Sequence, residues 1–135
     1  MNWKLIAQLS LFGLAMGVAT VFWVPSNVEP LGWLVVFVIS GYLIATRSAG
    51  RRYLHGLLVG VANSVWVTAS HILLVESYIA NHPREAAMMR AMRLPDSPRL
   101  MMALTGPVIG VASGLVLGFF AVVAGRLVAG RSPAA

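Results

Sequence analysis

An all-α membrane protein with four transmembrane helices is the fold class this sequence predicts. Three observations lead there. The 135 residues are 59% apolar and only 10% charged, against roughly 45–50% and about 25% in a soluble domain. The apolar residues fall into four runs, each near the ~20 residues a helix needs to cross the hydrocarbon core. Lys and Arg lie between or beside those runs. So short a chain has too little interior to hide that much apolar surface from water, and lipid is expected to cover the rest. Residues 1–135 therefore read as a single transmembrane domain.

The first span is expected over 4–24, with Trp3 and Trp23 at opposite headgroup layers. A signal peptide cleaved near Gly17-Val18-Ala19 is the competing reading. The apolar run continues past that point and exceeds the usual ~7–15-residue signal core, so a retained helix is expected. Pro25 and Pro30 bracket short polar residues in a turn. The second span, 29–46, is short, and Trp33 and Tyr42 cap it. The third, 53–79, is the most polar. The fourth, 100–128, is rich in glycine. Ser97-Pro98 marks a helix start ahead of it. A helix beginning there contains Pro107, where a kink is expected.

Residues 80–99 form the one sizeable loop. His82-Pro83-Arg84-Glu85 has the form of a helix start. A short amphipathic helix is expected over 86–93, with Met88, Met89 and Met92 towards one side and Arg84, Arg90 and Arg93 more exposed. Leu94-Pro95-Asp96-Ser97-Pro98 ends it. Such a helix lies along the membrane surface.

The basic residues set the orientation. Lys4, Arg47, Arg51, Arg52, Arg126 and Arg131 occupy short segments on one side, and Arg84, Arg90, Arg93 and Arg99 occupy the other. Positive charge in short segments marks the cytoplasmic face, so both termini are expected inside. All four acids (Glu29, Glu76, Glu85 and Asp96) then fall outside. The expected location is a bacterial inner membrane, with multiple passes.

Helices associate in lipid by close packing of small residues. Gly106, Gly110, Gly114 and Gly118 repeat at a spacing of four, as do Gly56, Gly60, Ser64 and Thr68. Gly13 and Gly17 give the first helix a seam, and Gly41 and Ala45 the second. Helix three against helix four is the natural pairing. The seams hold one bundle together in the simpler reading. In the other, the fourth helix keeps its seam for a second copy. Helices one and two are expected to be lipid-facing framework.

Polar groups within a span are candidate sites because they are unfavourable in hydrocarbon. The candidates are Asn63, Ser64, Thr68, Ser70, His71 and, near the outer mouth, Glu76. Ser64, Thr68 and His71 form one stripe at i, i+4 and i+7, where interhelical hydrogen bonding and a hydrated ligand or proton site compete as explanations. Arg47, Arg51, Arg52 and His55 mark the inner surface and suit a lipid phosphate. Met88, Met89, Met92, Met101 and Met102 crowd the outer connection. Thioethers suit Cu(I), but flexible apolar filling is the simpler role. A further alternative has His55 and His71, 16 residues apart at opposite depths, each giving one ligand to a different haem.

No metal or cofactor is expected, and no enzyme. The chain lacks cysteine, which excludes disulfides and thiolate chemistry. It has no His-Glu metal motif, phosphate loop or buried carboxylate pair. The formal charge of +6 follows membrane topology and not a nucleic-acid surface. The expected function is structural or accessory, with lipid as the surrounding partner and an oligomer or larger assembly as the context. The alternative is a transporter or channel for a small solute, cation or proton on the polar face of helix three.

Overall fold

The computed structural model describes residues 1–91 and 97–130. Its helices are α1 (Trp3–Phe22), α2 (Glu29–Arg47), α3 (Arg52–Leu73), α4 (Val75–Asn81), α5 (Pro83–Ala91) and α6 (Pro98–Ala129). The described residues contain no strand. Helices α1, α2, α3 and α6 are long and apolar enough to cross a membrane.

Local chemistry sets most of the ends. Asn2 caps α1, its side-chain oxygen accepting the Leu5 N–H at 3.1 Å. Pro30 sits in the first turn of α2, where a missing N–H breaks no helical bond. One turn on, the Trp33 indole donates to Glu29 Oε1 at 3.0 Å. Gly50, at φ 155°, and Arg51, at φ 49°, turn the chain into α3. Pro107 lies inside α6 and removes one rung of its ladder.

The third span departs from the expected 53–79. Helix α3 stops at Leu73, Leu74 takes φ −108° and ψ 30°, and α4 begins anew. No glycine or proline marks this break. Arg99 donates from Nε to the Ile72 carbonyl beside the break at 3.3 Å. A cation there satisfies an otherwise open carbonyl and suits the helix C-terminus.

Helix α5 begins at Pro83, the start that His82-Pro83-Arg84-Glu85 marks, and is described to Ala91, so it takes in three residues ahead of the expected 86–93. Met88 and Met89 do not share a side. Neighbours on a helix point about 100° apart, and Met88 is 61% exposed while Met89 is half-buried. Met92, Arg93 and the turn through Asp96 lie outside the described residues, as does Arg131.

Helix α3 lies between α1 and α6, and α2 packs on α6. Helices α1 and α3 run parallel: Gly13 faces Asn63, and Gly17 faces Val67 and Ser70. Asn81 Nδ2 extends this contact beyond α3 by donating to the Val21 carbonyl at 2.8 Å. Helices α3 and α6 run antiparallel, seam to seam. A Cβ on Gly56 would fall 2.6 Å from Gly118 Cα, and one on Gly60 would strike Gly114. Ser64 and Thr68 fill the spaces over Gly110 and Gly106. The small residues of both helices are thus taken up within the chain.

The apolar core consists of Leu5, Ile6, Leu9, Ile44, Val59, Leu117 and Ala121. These side chains fill the half of the bundle nearest the chain termini. The other half, nearest the α1–α2 turn and α4, is packed between α1 and α3 but leaves a hollow between α2, α3 and α6.

Candidate functional site

Helix α2 creates the hollow by changing neighbours along its length. Its buried residues run from Val36 to Ala45. There Gly41 meets the Phe120 backbone, and Phe37 meets the Phe120 ring edge-on at 6.0 Å. Towards its start α2 leans on α1 instead, where Gly32 faces the end of Met16. The space left between α2, α3 and α6 is a cavity of about 640 Å³.

Asn63, Ser64, Thr68 and His71 all line this cavity. The stripe spacing on α3 brings them together. Ser70 and Glu76, from the same candidate group, lie elsewhere. Ser70 is buried against Gly17 of α1, and Glu76 is exposed on α4.

Asn63 is 2% exposed. Its Oδ1 accepts the Gly13 N–H at 2.9 Å. Because an N–H needs an acceptor, this contact fixes which way the amide points. The NH2 group on its other side has no partner.

His71 is oriented from α1. The Thr20 hydroxyl gives its one proton to the carbonyls of Met16, at 2.8 Å, and Gly17, at 3.1 Å. It must therefore accept from His71 Nε2, 2.9 Å away. Nε2 carries the hydrogen, and Nδ1 is left with a lone pair. The ring packs against Tyr78 at 4.4 Å, and Tyr78 stacks on His82 at 4.4 Å and 15°. This ladder of rings bridges the break between α3 and α4.

Burial, then the carboxylates of Glu85 and Glu29, push the Tyr78 phenol up to about 12. Each cause disfavours a negative charge on the ring. Tyr78→Phe is expected to remove a component with a midpoint near 12 from the alkaline absorbance titration. Loss of a component near 10 instead would contradict this environment. The sign for stability follows: as pH rises above 10, the unfolded chain ionises first, and stability falls until the folded phenol ionises.

Other wall residues lie where only framework is expected. Trp33, Leu34 and Phe37 of α2 line the cavity, with Glu29 at its mouth and Phe120 of α6 at its base. Helix α2 is therefore a wall as well as framework, and α1 positions Asn63 and His71 from behind. Glu29, Trp33 and Phe37 recur at a spacing of four, the one signal in the sequence that groups them.

The basic end separates by role. Arg47 and Arg51 are exposed and line a groove of about 520 Å³ with Met1, Asn2 and Gly50. The Arg52 side chain lies across Gly125 of α6. His55 is 3% exposed. Its Nδ1–H donates to the Arg51 carbonyl at 3.0 Å, and its Nε2 accepts the Asn2 N–H at 2.9 Å. His55→Ala is expected to loosen the first turn of α1, with the loss of these two bonds lowering stability by about 1–3 kcal/mol. Amide exchange over Asn2–Leu5 would speed up, and unchanged protection there would contradict the staple.

Among the described residues, no three His, Cys, Asp or Glu groups converge as metal ligands. Of the methionines, Met89 and Met102 line the cavity. Comparison with protein-family models, curated proteins and solved structures gives no match.

Proposed function

We propose that this small multi-pass membrane protein is a carrier whose solute binds in the cavity on the polar face of α3. Both termini are cytoplasmic in this proposal, in a bacterial inner membrane, so that the cavity opens outward. The gathering of Asn63, Ser64, Thr68 and His71 on one cavity supports it. Interhelical hydrogen bonding alone does not require such a space. A carrier fits better than an open channel, because Ile44, Val59 and Leu117 are completely buried across the opposite half. Passage requires that half to open, and Pro107 supplies a weak point in α6.

Proteoliposomes carrying an entrapped pH dye and a panel of small radiolabelled solutes test the proposal. Proton or solute flux above that of protein-free vesicles is expected. His71→Ala and Asn63→Ala should each reduce it at least tenfold, while Glu76→Ala should leave it unchanged. Flux indifferent to the two cavity variants would overturn the proposal.

A second proposal, that of an accessory subunit or homo-oligomer, draws on a different surface. Leu104, Val108, Val111, Leu115 and Phe119 expose one apolar face of α6. The glycine seams cannot serve a partner while α3 occupies them. Crosslinking in native membranes decides this case: monomers alone, with nothing co-purifying, would count against it.

A further inference from the structure

We infer that the cavity takes a neutral, membrane-soluble molecule bearing a carbonyl oxygen, which enters sideways from the bilayer between α2 and α6. This inference rests on the cavity being a binding site, as proposed above. Four features select the ligand class.

The first is the unmet donor. The Asn63 NH2 is buried on a cavity-lining residue and has no partner. Buried amide hydrogens without acceptors are unfavourable, and Gly13 prevents the amide from turning over to change what it offers. An acceptor oxygen on the ligand satisfies them once neighbouring side chains move aside to uncover Nδ2, which is closed to solvent in this structure.

The second is the charge of the walls. Among the described residues no Lys or Arg lines the cavity, and Glu29 stands at its mouth. An anionic headgroup would meet that carboxylate and, among the described residues, no cation. The rim carboxylate disfavours an anion, and entry from hydrocarbon, the fourth feature, disfavours any charged molecule, which leaves neutral ones.

The third is size and surface. Trp33, Phe37 and Phe120 offer aromatic faces, and Met102, Ile109 and Val116 supply aliphatic ones. About 640 Å³ falls within the usual span of ~300–1,000 Å³ for sites that enclose a drug-sized molecule. From Gly60 to His71 the α3 wall runs roughly 16 Å at 1.5 Å per residue. That length suits a ring system with a short chain.

The fourth is the entrance. Leu34 and Ile109 both line the cavity, yet they are 50% and 60% exposed. They stand on either side of the gap between α2 and α6. Both belong to helices apolar enough to span a membrane, so the gap faces hydrocarbon. A molecule already dissolved in the bilayer can use it. A strongly hydrated solute cannot.

Decylubiquinone is a suitable probe, because it is neutral, carries ring carbonyls and quenches tryptophan fluorescence. The protein would keep Trp33 as its one tryptophan, with Trp3, Trp23 and Trp66 replaced by Phe, in phosphatidylcholine vesicles. Saturable quenching of Trp33 is expected. A companion protein keeping only Trp23 should show the linear quenching of simple partitioning. Asn63→Leu, similar in size but without donors, should weaken binding at least tenfold. The downshifted carbonyl stretch of the bound quinone should also be lost in that variant. Decylbenzene, which lacks an acceptor, should not displace the quinone. Asn63 also holds Gly13, so the thermal midpoint of Asn63→Leu is measured alongside, and the carbonyl stretch in the parent protein serves as a readout independent of that variant.

Equal displacement by decylbenzene with an unshifted carbonyl stretch would overturn the carbonyl assignment and leave the cavity a binding site. Trp33 quenching that never saturates would overturn the inference altogether, and the carrier proposal would still be judged by its own flux assay. Saturable binding without flux would do the reverse, supporting the ligand class and removing the carrier.

Discussion

Gly60→Ala is expected to be among the most damaging single-methyl additions in this protein. The new Cβ would strike the Gly114 backbone and approach the Ser113 carbonyl carbon to 3.1 Å. Neither neighbour is a flexible side chain, so α3 and α6 must separate. Separation loosens the whole seam, because Gly56–Gly118 and the contacts of Ser64 and Thr68 with Gly110 and Gly106 depend on the same spacing. Overpacking of a tight core typically costs about 1–3 kcal/mol, and the upper end is expected here. Gly32→Ala is the control. Its Cβ meets only the end of the Met16 side chain, the methyl at 2.9 Å and the sulfur at 3.4 Å, which can swing aside. Unfolding by SDS titration in mixed micelles measures both. Equal effects would contradict backbone-to-backbone contact at Gly60.

Leu117→Ala tests the solid half of the bundle. Leu117 is fully buried, in one cluster with Ile44, Val59 and the first turns of α1. Removing its branched end leaves a void where four helices meet. Leucine-to-alanine changes at such sites cost about 2–5 kcal/mol. The matching change on the hollow side is Ile109→Ala, at a 60% exposed residue of the same helix. Its effect should stay within about 0.5 kcal/mol. The contrast is the expected result: one helix, two aliphatic residues, and a large difference in consequence. Comparable losses at both sites would mean that the two halves are equally packed.

The four long helices were legible because lipid imposes a simple rule on composition and length. Their seams were legible as well, since a spacing of four on a 3.6-residue helix keeps small residues in one winding groove. The same periodicity put Ser64, Thr68 and His71 on one wall. The break at Leu74 was hidden because no local glycine or proline marks it, and the contact made there comes from Arg99, 25 residues away in sequence from Leu74. The role of α2 was hidden for a similar reason. Leu34 and Phe37 read as lipid-facing residues until the tilt of α2, from Phe120 towards Met16, turns that face into a wall. Asn63 shows the limit most clearly. Sequence marks it as polar within a span, but only the fold shows one end of its amide held by Gly13 and the other left open.

The parallel pairing of α1 with α3 has a consequence for biogenesis. Asn2 meets His55 at one end and Val21 meets Asn81 near the other, with all of α2 threaded between. A newly inserted α1 therefore has no near neighbour in sequence to bind well. It must wait in the bilayer until α3 emerges, and α3 then exposes its second seam until α6 arrives. This connectivity disfavours a first hairpin of α1 with α2, whereas α3 and α6 pair as consecutive spans. The nascent chain passes through a stage in which Gly13, Asn63 and the glycines of α3 face lipid or the insertion machinery. Its packing is completed late, on arrival of the helix that carries Gly106 to Gly118.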